Sequence, residues 1–279
     1  MNSELEKIIR NALSEDIGSG DITTQAIISE NVKGLGEFLV KQNGVIAGFE
    51  VLQALFNIFD PSLKFTKMAN DGDKVSAGQV AALIEGSAAS ILTAERTALN
   101  FLQRMSGIAT YANKFVEMIK HTNTKILDTR KTAPGLRYID KMAVRLSGCL
   151  NHRIGLFDMF LIKDNHIVVA GSITGAVNSC KEFLRKTNSD FKIEVETTSL
   201  DEVKEALPCS VDFIMLDNFD LAEMKKAVEL IDGRCKTEAS GGIDLDTVKQ
   251  IAETGVDFIS IGALTHSVRA LDISLEIKL

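Results

Sequence analysis

Residues 191–262 read FKIEVETTSLDEVKEALPCSVDFIMLDNFDLAEMKKAVELIDGRCKTEASGGIDLDTVKQIAETGVDFISIG, and this stretch sets the architecture. Short apolar runs, FKIEVET, VDFIMLDN, KTEASGG and VDFISIG, alternate with segments of helical periodicity. Helix starts are signalled by Ser199 with Glu202, by Asp220 with Glu223, and by Asp244 ahead of Leu245, Val248 and Ile251. At such positions a short polar side chain can accept the free amides of a first helical turn. Upstream, TKILDT (124–129) and FLIKDN (160–165) extend the same rhythm. Strand, helix, strand at this spacing implies parallel β/α units, and six or more imply a barrel. Each strand is apolar until its C-terminal end, where Asp128, Lys163, Glu196, Asp217, Ser240 and Gly262 stand. In a β/α barrel those ends share the rim on which chemistry is done, so residues far apart in the chain are expected to converge.

Working toward the N-terminus, residues 92–119 (LTAERTALNFLQRMSGIATYANKFVEMI) show a helical pattern, read as interrupted by Gly107. Residues 33–90 differ: GEFLVKQNGVIAGF (36–49) and LKFTKMANDGDKVSAGQVAALIEG (63–86) carry strand-like alternation with turn signals at Asn43-Gly44 and Asp71-Gly72. This half reads as an antiparallel sheet. The first residues, MNSELEKIIRNAL, form a helix start with Ser3 and Glu6 in capping-box spacing, unlike a signal peptide. The fold class expected is therefore α/β: an incomplete parallel α/β barrel with an N-terminal antiparallel-sheet α+β domain. The expected limits are 1–107 for the sheet domain, 108–267 for the catalytic barrel, and 268–279 for a tail packing back on the first domain.

Bulk properties narrow the function. A chain of 279 residues with 45% hydrophobic and 25% charged residues has the composition of a soluble globular protein of two domains. No apolar run approaches the roughly 18 residues that cross a membrane. The four cysteines (149, 180, 209, 235) form no Cys-x-x-Cys pair, so neither a zinc site nor a disulfide framework is expected, and a reducing cytoplasm fits.

The charge is unevenly placed. Between Asp128 and His166, seven Lys/Arg (130, 131, 137, 141, 145, 153, 163) face four Asp (128, 140, 158, 164), a local +3 within a chain of net charge −7. A basic island in an acidic protein attracts small, multiply charged anions; nucleic acid is disfavoured because the island has no run of five like charges. The plain alternative is solvated surface charge, each ion pair contributing roughly 0–1 kcal/mol. Arg137, Lys141 and Arg145 fit it equally well, since their spacing makes one stripe on a helix. Arg130, Lys131 and Lys163 instead sit at strand ends, where charge-assisted bonds to carboxylate or phosphate contribute roughly 1.5–3 kcal/mol each. Asn151-His152-Arg153 abuts them. EASGGI (238–243) and SIGAL (260–264) close the last two strands with small residues, as phosphate-binding loops of such barrels do.

At this point the residues match a family. EDIGSGDITT (15–24), ERTALNFLQRMSGIAT (95–110), DTRKTAPGLR (128–137), NHRIGLFDMFLIKDNH (151–166), EVE (194–196), MLDN (215–218), EASGGI (238–243) and GVDFISIGALTHS (255–267) resemble the quinolinate phosphoribosyltransferases, in family order over nearly the full length. The resemblance implies a decarboxylating transferase of NAD synthesis. It also implies a homodimer, or a higher assembly, in which the sheet domain of one subunit covers the barrel mouth of the other. Its substrates would be quinolinate, which carries two carboxylates, and phosphoribosyl pyrophosphate with Mg2+.

The resemblance further implies roles. Arg104 would reach the neighbouring subunit's site and, with Arg130, Arg153 and Lys163, bind the quinolinate carboxylates; Thr129, Lys131 and His152 would line that pocket. Glu196 and Asp217 would face the ribose hydroxyls and magnesium. Ser240, Gly241, Gly242, Ile261, Gly262 and Ala263 would cradle the ribose 5-phosphate. Lys131, Lys163, Glu196 and Asp217 would carry the catalysis.

Two segments depart from the family pattern: LSGCL (146–150), where glycine is usual before Asn-His-Arg, and EVETT (194–198), where an acidic-valine repeat is cut short. Three other readings stay open. One is a related transferase-like protein of molybdate-uptake systems, which the intact NHR and LIKDNH segments argue against. Another is a non-catalytic anion-binding homologue. The third is a carrier module resembling half a lipoyl domain through DGDKVSAGQVAALIEG, although Lys74 follows a Gly-Asp turn rather than sitting at a hairpin tip.

Overall fold

The computed structural model describes residues 2–29 and 31–278. Its strands are β1 (Lys33–Val40), β2 (Gly44–Val45), β3 (Lys64–Lys67), β4 (Lys74–Val75), β5 (Val80–Ser87), β6 (Lys125–Leu127), β7 (Phe160–Ile162), β8 (Ile193–Thr197), β9 (Phe213–Asp217), β10 (Lys236–Ser240), β11 (Phe258–Ser260) and β12 (Ile273–Lys278). Packing divides the chain into two compact units. One comprises the residues up to 113, 132–148 and those from 263 onward; the other comprises 114–131 and 149–262. Residues 132–148 and the C-terminal segment thus group with the first unit by packing rather than by place in the chain.

The first unit is built on an antiparallel sheet of order β12-β1-β5-β3. Along β1 buried and half-exposed residues alternate, the two-residue period that gives a sheet one face for the core. The C-terminal strand pairs along β1, from Leu35 opposite Lys278 to Val40 opposite Ile273. Helix Phe49–Phe59 lies among strand-like neighbours, and the spacing of its buried Val51, Leu52, Leu55 and Phe56 is the signal for it. Phe56 meets Phe65 of β3 at 5.5 Å between ring centres, joining helix to sheet through aromatic contact. Lys74 lies in β4 opposite Val45, within a short ladder.

Three local expectations need correcting. Asn2, not Ser3, caps the first helix, its side chain accepting the Glu4 amide at 2.8 Å, and Ser3 is the first helical residue. Helix Ala88–Ile119 runs unbroken through Gly107. A Cβ at Gly107 would lie 2.2 Å from the Arg269 carbonyl oxygen, so this glycine permits close approach of the C-terminal segment rather than a break. Gly107→Ala is expected to lower stability by about 1–3 kcal/mol despite the better helix propensity of alanine, read from the urea midpoint at constant m-value. Finally, the stripe of Arg137, Lys141 and Arg145 is solvated only in part, since Arg145 is exposed and Arg137 half-exposed while Lys141 is buried beside buried Asp140.

The second unit holds six parallel strands in the order β6-β11-β10-β9-β8-β7. Among the described residues β6 and β7 do not pair, so the sheet stays open; a bridge from Leu127 to Leu150 extends it past β6. The Val-Asp-Phe repeat has a structural meaning at the N-terminal ends of the strands. Asp212 accepts the Ile193 amide at 2.9 Å and pairs with Lys192, and Asp257 does the same for Thr237 and Lys236. Each aspartate thus fastens its strand to the preceding one, at the end of the sheet away from the chemistry.

Candidate active site

At the C-terminal ends of the parallel strands lies a cavity of about 430 Å³, lined by Thr129, Arg130, Lys131, His152, Arg153, Leu161, Lys163, Glu196, Met215, Asp217, Glu238, Ser240 and Ser260. The two-residue period explains the set. Leu161 and Lys163, Met215 and Asp217, and Glu238 and Ser240 are each two apart and so point to one side of the sheet. The upper member of each pair is polar. Nine of the residues singled out from sequence therefore meet here: Thr129, Arg130, Lys131, His152, Arg153, Lys163, Glu196, Asp217 and Ser240.

The sheet is strongly curled. Leu150 flanks β6 on the side away from β11, so a flat sheet would set it five strand spacings, roughly 24 Å, from β8. Yet His152, two residues on, donates from Nε2 to Glu194 of β8 at 2.9 Å and approaches Glu238 of β10 at 3.6 Å. Only a curved sheet brings these together, and the enclosed concave face is the cavity.

Buried Asp128 anchors the cationic loop. It accepts the Asn151 side-chain amide at 2.6 Å and the His152 backbone N–H at 2.8 Å, tying residues 151–153 to the end of β6. Arg153 donates to the Met159 carbonyl at 3.1 Å, while its buried Nε meets no acceptor. Burial, and then the Arg130 charge beside it, hold the Arg153 guanidinium below the usual arginine range. A cation disfavoured in this way gains most from an incoming anion. Lys163 pairs with Glu196, and its backbone N–H donates to the His166 ring at 2.9 Å. His166, the other histidine of the basic island, thus caps helix Asp164–Ala170.

Sequence reasoning misses two buried acids at this site, of which Glu238 lines the cavity and Glu194 does not. Glu194 and Glu238 are buried to 0% and 1% exposure and converge with His152. Burial pushes the Glu194 carboxyl up to about 7; burial, and then the Glu194 charge, push Glu238 up to about 8. His152 Nδ1 accepts the Arg153 N–H at 2.8 Å, which leaves the ring proton on Nε2, facing Glu194. With Nε2 a donor, the three groups form a hydrogen-bonded cluster rather than a set of metal ligands. The signal was present in the sequence: glutamates inside apolar strands, each two residues below a rim residue (Glu194 under Glu196, Glu238 under Ser240).

The remaining site residues lie elsewhere. Arg104 belongs to the first unit, where its guanidinium forks onto buried Asp140 through Nε and Nη2, both at 2.8 Å. Gly241 and Gly242 follow β10 with φ of +98° and +60°. A Cβ on Gly241 would lie 2.1 Å from Asn218 Oδ1, so only glycine fits, whereas Gly242 has open space around it. Ile261 is buried and its amide is spent on the Leu127 carbonyl at 3.0 Å; Gly262 follows, and Ala263 opens the short helix Ala263–His266. Gly241→Ala is expected to lower stability by roughly 1–3 kcal/mol, because the strained φ and the clash both fall on this loop; the urea midpoint checks it.

Comparison with known proteins places this geometry. The N-terminal domain model of quinolinate phosphoribosyl transferase matches residues 21–106, and the C-terminal domain model matches residues 108–276. The chain belongs to the quinolinate phosphoribosyltransferase family. It is 48% identical to a chloroplastic nicotinate-nucleotide pyrophosphorylase [carboxylating] of Arabidopsis thaliana, over 98% of this chain and 83% of that one. A probable nicotinate-nucleotide pyrophosphorylase [carboxylating] of Bacillus subtilis is 40% identical, over 99% and 94%. The solved structure of the nicotinate-nucleotide pyrophosphorylase from Francisella tularensis superposes with a TM-score of 0.94 at 42% identity, covering 100% of this chain and 97% of that one.

Within the quinolinate phosphoribosyltransferase fold, the two sequence departures are accommodated locally. In LSGCL, Gly148 takes a φ of +94° as the chain leaves helix Arg137–Leu146 for the Leu150 bridge. In EVETT, the Thr197 hydroxyl donates to the Met215 carbonyl at 2.8 Å, and the Thr198 amide donates to Glu202 at 2.6 Å.

Proposed function

We propose that this cavity joins quinolinate to the ribose of phosphoribosyl pyrophosphate and removes one carboxylate, giving nicotinate mononucleotide, CO2 and pyrophosphate. The observation that carries the reading is the convergence of Arg130, Arg153 and Lys163 on one cavity that also holds Glu196 and Asp217. A ring with two carboxylates suits the cationic residues, and a sugar carbon that becomes positive suits the carboxylates. The partner subunit's Arg104 completes the quinolinate clamp in a homodimer. Ser240, Gly241, Gly242, Gly262 and Ala263 offer the 5-phosphate small side chains and backbone amides.

Glu196 and Asp217 present the hard carboxylate oxygens that Mg2+ takes, and both line the cavity, so the donor set fits the ion. When bound with the substrate, magnesium supplies charge neutralisation on the pyrophosphate. The chain's own residues do the rest. Lys131 and Lys163 stabilise the departing pyrophosphate, and the C1–O bond breaks as Glu196 and Asp217 stabilise the positive sugar carbon. Arg130 and Arg153 hold the pyridine nitrogen in line to attack it. Once the nitrogen is quaternary, it stabilises the electron pair left on ring C2 as CO2 departs, and protonation there completes the product. No protein nucleophile is required.

Among the described residues no helix is long and apolar enough to cross a membrane. All four cysteines are free thiols, which supports a cytoplasmic setting. Release of CO2 from quinolinate, dependent on phosphoribosyl pyrophosphate and magnesium, is the expected result. Anion binding without CO2 release would instead favour the non-catalytic homologue.

A further inference from the structure

Among the described residues, four other than glycine take a positive φ: Asn188, Ser210, Asn218 and Asp232. Asn188, Ser210 and Asp232 close helices, where a left-handed residue commonly satisfies the last carbonyls. Asn218, at +57°, instead follows strand β9 on the rim, directly after Asp217. A side chain kept in a conformation that glycine adopts without cost points to a use for that side chain.

Both ends of the Asn218 side chain are placed. Nδ2 donates to Asp217 Oδ2 at 2.8 Å, and among the described residues it is the one donor to that carboxylate. Oδ1 turns toward Gly241, standing 2.1 Å from where a Cβ would lie there. The Asn218 backbone N–H donates to the Ser240 carbonyl at 2.9 Å, fixing the residue to the end of β10 that faces Asp217. Of the residues that accept this backbone readily, glycine brings no donor and aspartate would repel Asp217. Asparagine alone offers an N–H to a carboxylate.

We propose that Asn218 is a positioning residue. It holds the Asp217 carboxylate at the spacing from the glycine loop that one sugar requires, with ribose hydroxyls at one end and the 5-phosphate at the other. The proposal rests on the reaction set out above. Asn218 does not itself line the cavity, so it acts through Asp217, which does. Without the bond the carboxylate is free to change rotamer; with it, Oδ1 and the remaining lone pair of Oδ2 stay available to the substrate. Gly241 leaves room for this side chain, so the residue that opens the loop to phosphate also admits the group that sets the carboxylate.

Asn218→Gly removes the side chain and relieves the backbone, so the urea midpoint should not fall. The variant is expected to lower kcat about tenfold, as loss of a partner that orients a metal-site carboxylate does, with the quinolinate KM within about twofold. In an Asp217→Asn background the same change should lower kcat no further, because the charge being held is already gone. Wild-type kcat in Asn218→Gly overturns the proposal. So does a further tenfold loss in the Asp217→Asn background, or a raised quinolinate KM at constant kcat. If the glycine variant does not fold, Asn218→Asp decides by the same measurements: it keeps the left-handed backbone and the shape but loses the donor, and wild-type kcat in it overturns the proposal. A wild-type protein that releases no CO2 overturns the reaction reading and the proposal together, whereas an active wild type with an indifferent variant overturns the proposal alone.

Discussion

Subunits carrying Arg104→Ala and subunits carrying Lys163→Ala, each inactive alone, recover activity when combined in one dimer. Each substitution removes one cation from the quinolinate clamp, and truncating one member of a desolvated charge pair costs about 2–5 kcal/mol, at least about thirtyfold in kcat/KM. In the proposed dimer a site takes Lys163 from one subunit and the partner subunit's Arg104. A purified heterodimer then contains one site missing both residues and one site intact, and is expected to show about half the wild-type rate. Asp140 makes Arg104 suited to this role. Gripping Nε and one side of Nη2, it fixes the side chain and leaves Nη1 and the remaining Nη2 hydrogen for a carboxylate. CO2 release by heterodimers isolated with two different tags is the measurement. Inactive heterodimers of verified composition would remove the shared site.

Asp217→Asn should lower kcat by about 10²–10³ while leaving the KM for quinolinate within about twofold, the pattern for a charge needed only as the sugar carbon becomes positive. Asp217 ends β9 opposite Ser240 of β10, and its carboxylate accepts the Asn218 side-chain amide at 2.8 Å. Asparagine preserves this placement and deletes the charge. Quinolinate affinity depends on the cationic side of the cavity and should be spared. An unchanged kcat would put Asp217 outside the chemistry; a raised quinolinate KM at constant kcat would put it in the clamp.

Where local rules apply, sequence and structure agree. Ser199 and Asp220 cap their helices as their spacing implies, accepting the amides of Glu202 and Glu223 at 3.3 and 2.8 Å. Gly107 shows where such rules end, since its reason for being glycine is the Arg269 carbonyl, more than 150 residues away. Lys141 looks like a member of a solvated stripe until packing covers it. Glu194 and Glu238 look like ordinary polar residues of amphipathic strands, because sequence alone does not give the face on which a strand's alternate residues are enclosed.

The succession of strands and helices along the chain, their parallel direction and the strand ends on which Lys163, Glu196 and Asp217 stand were determined by the sequence itself, because period and capping act over a few residues. Tertiary structure alone decided which distant groups touch: the curl that brings His152 to Glu194 and Glu238, the fork of Asp140 on Arg104, and the burial that turns two glutamates into weak acids. Those outcomes depend on enclosure and long-range contact, and neither is encoded in any single stretch of the chain.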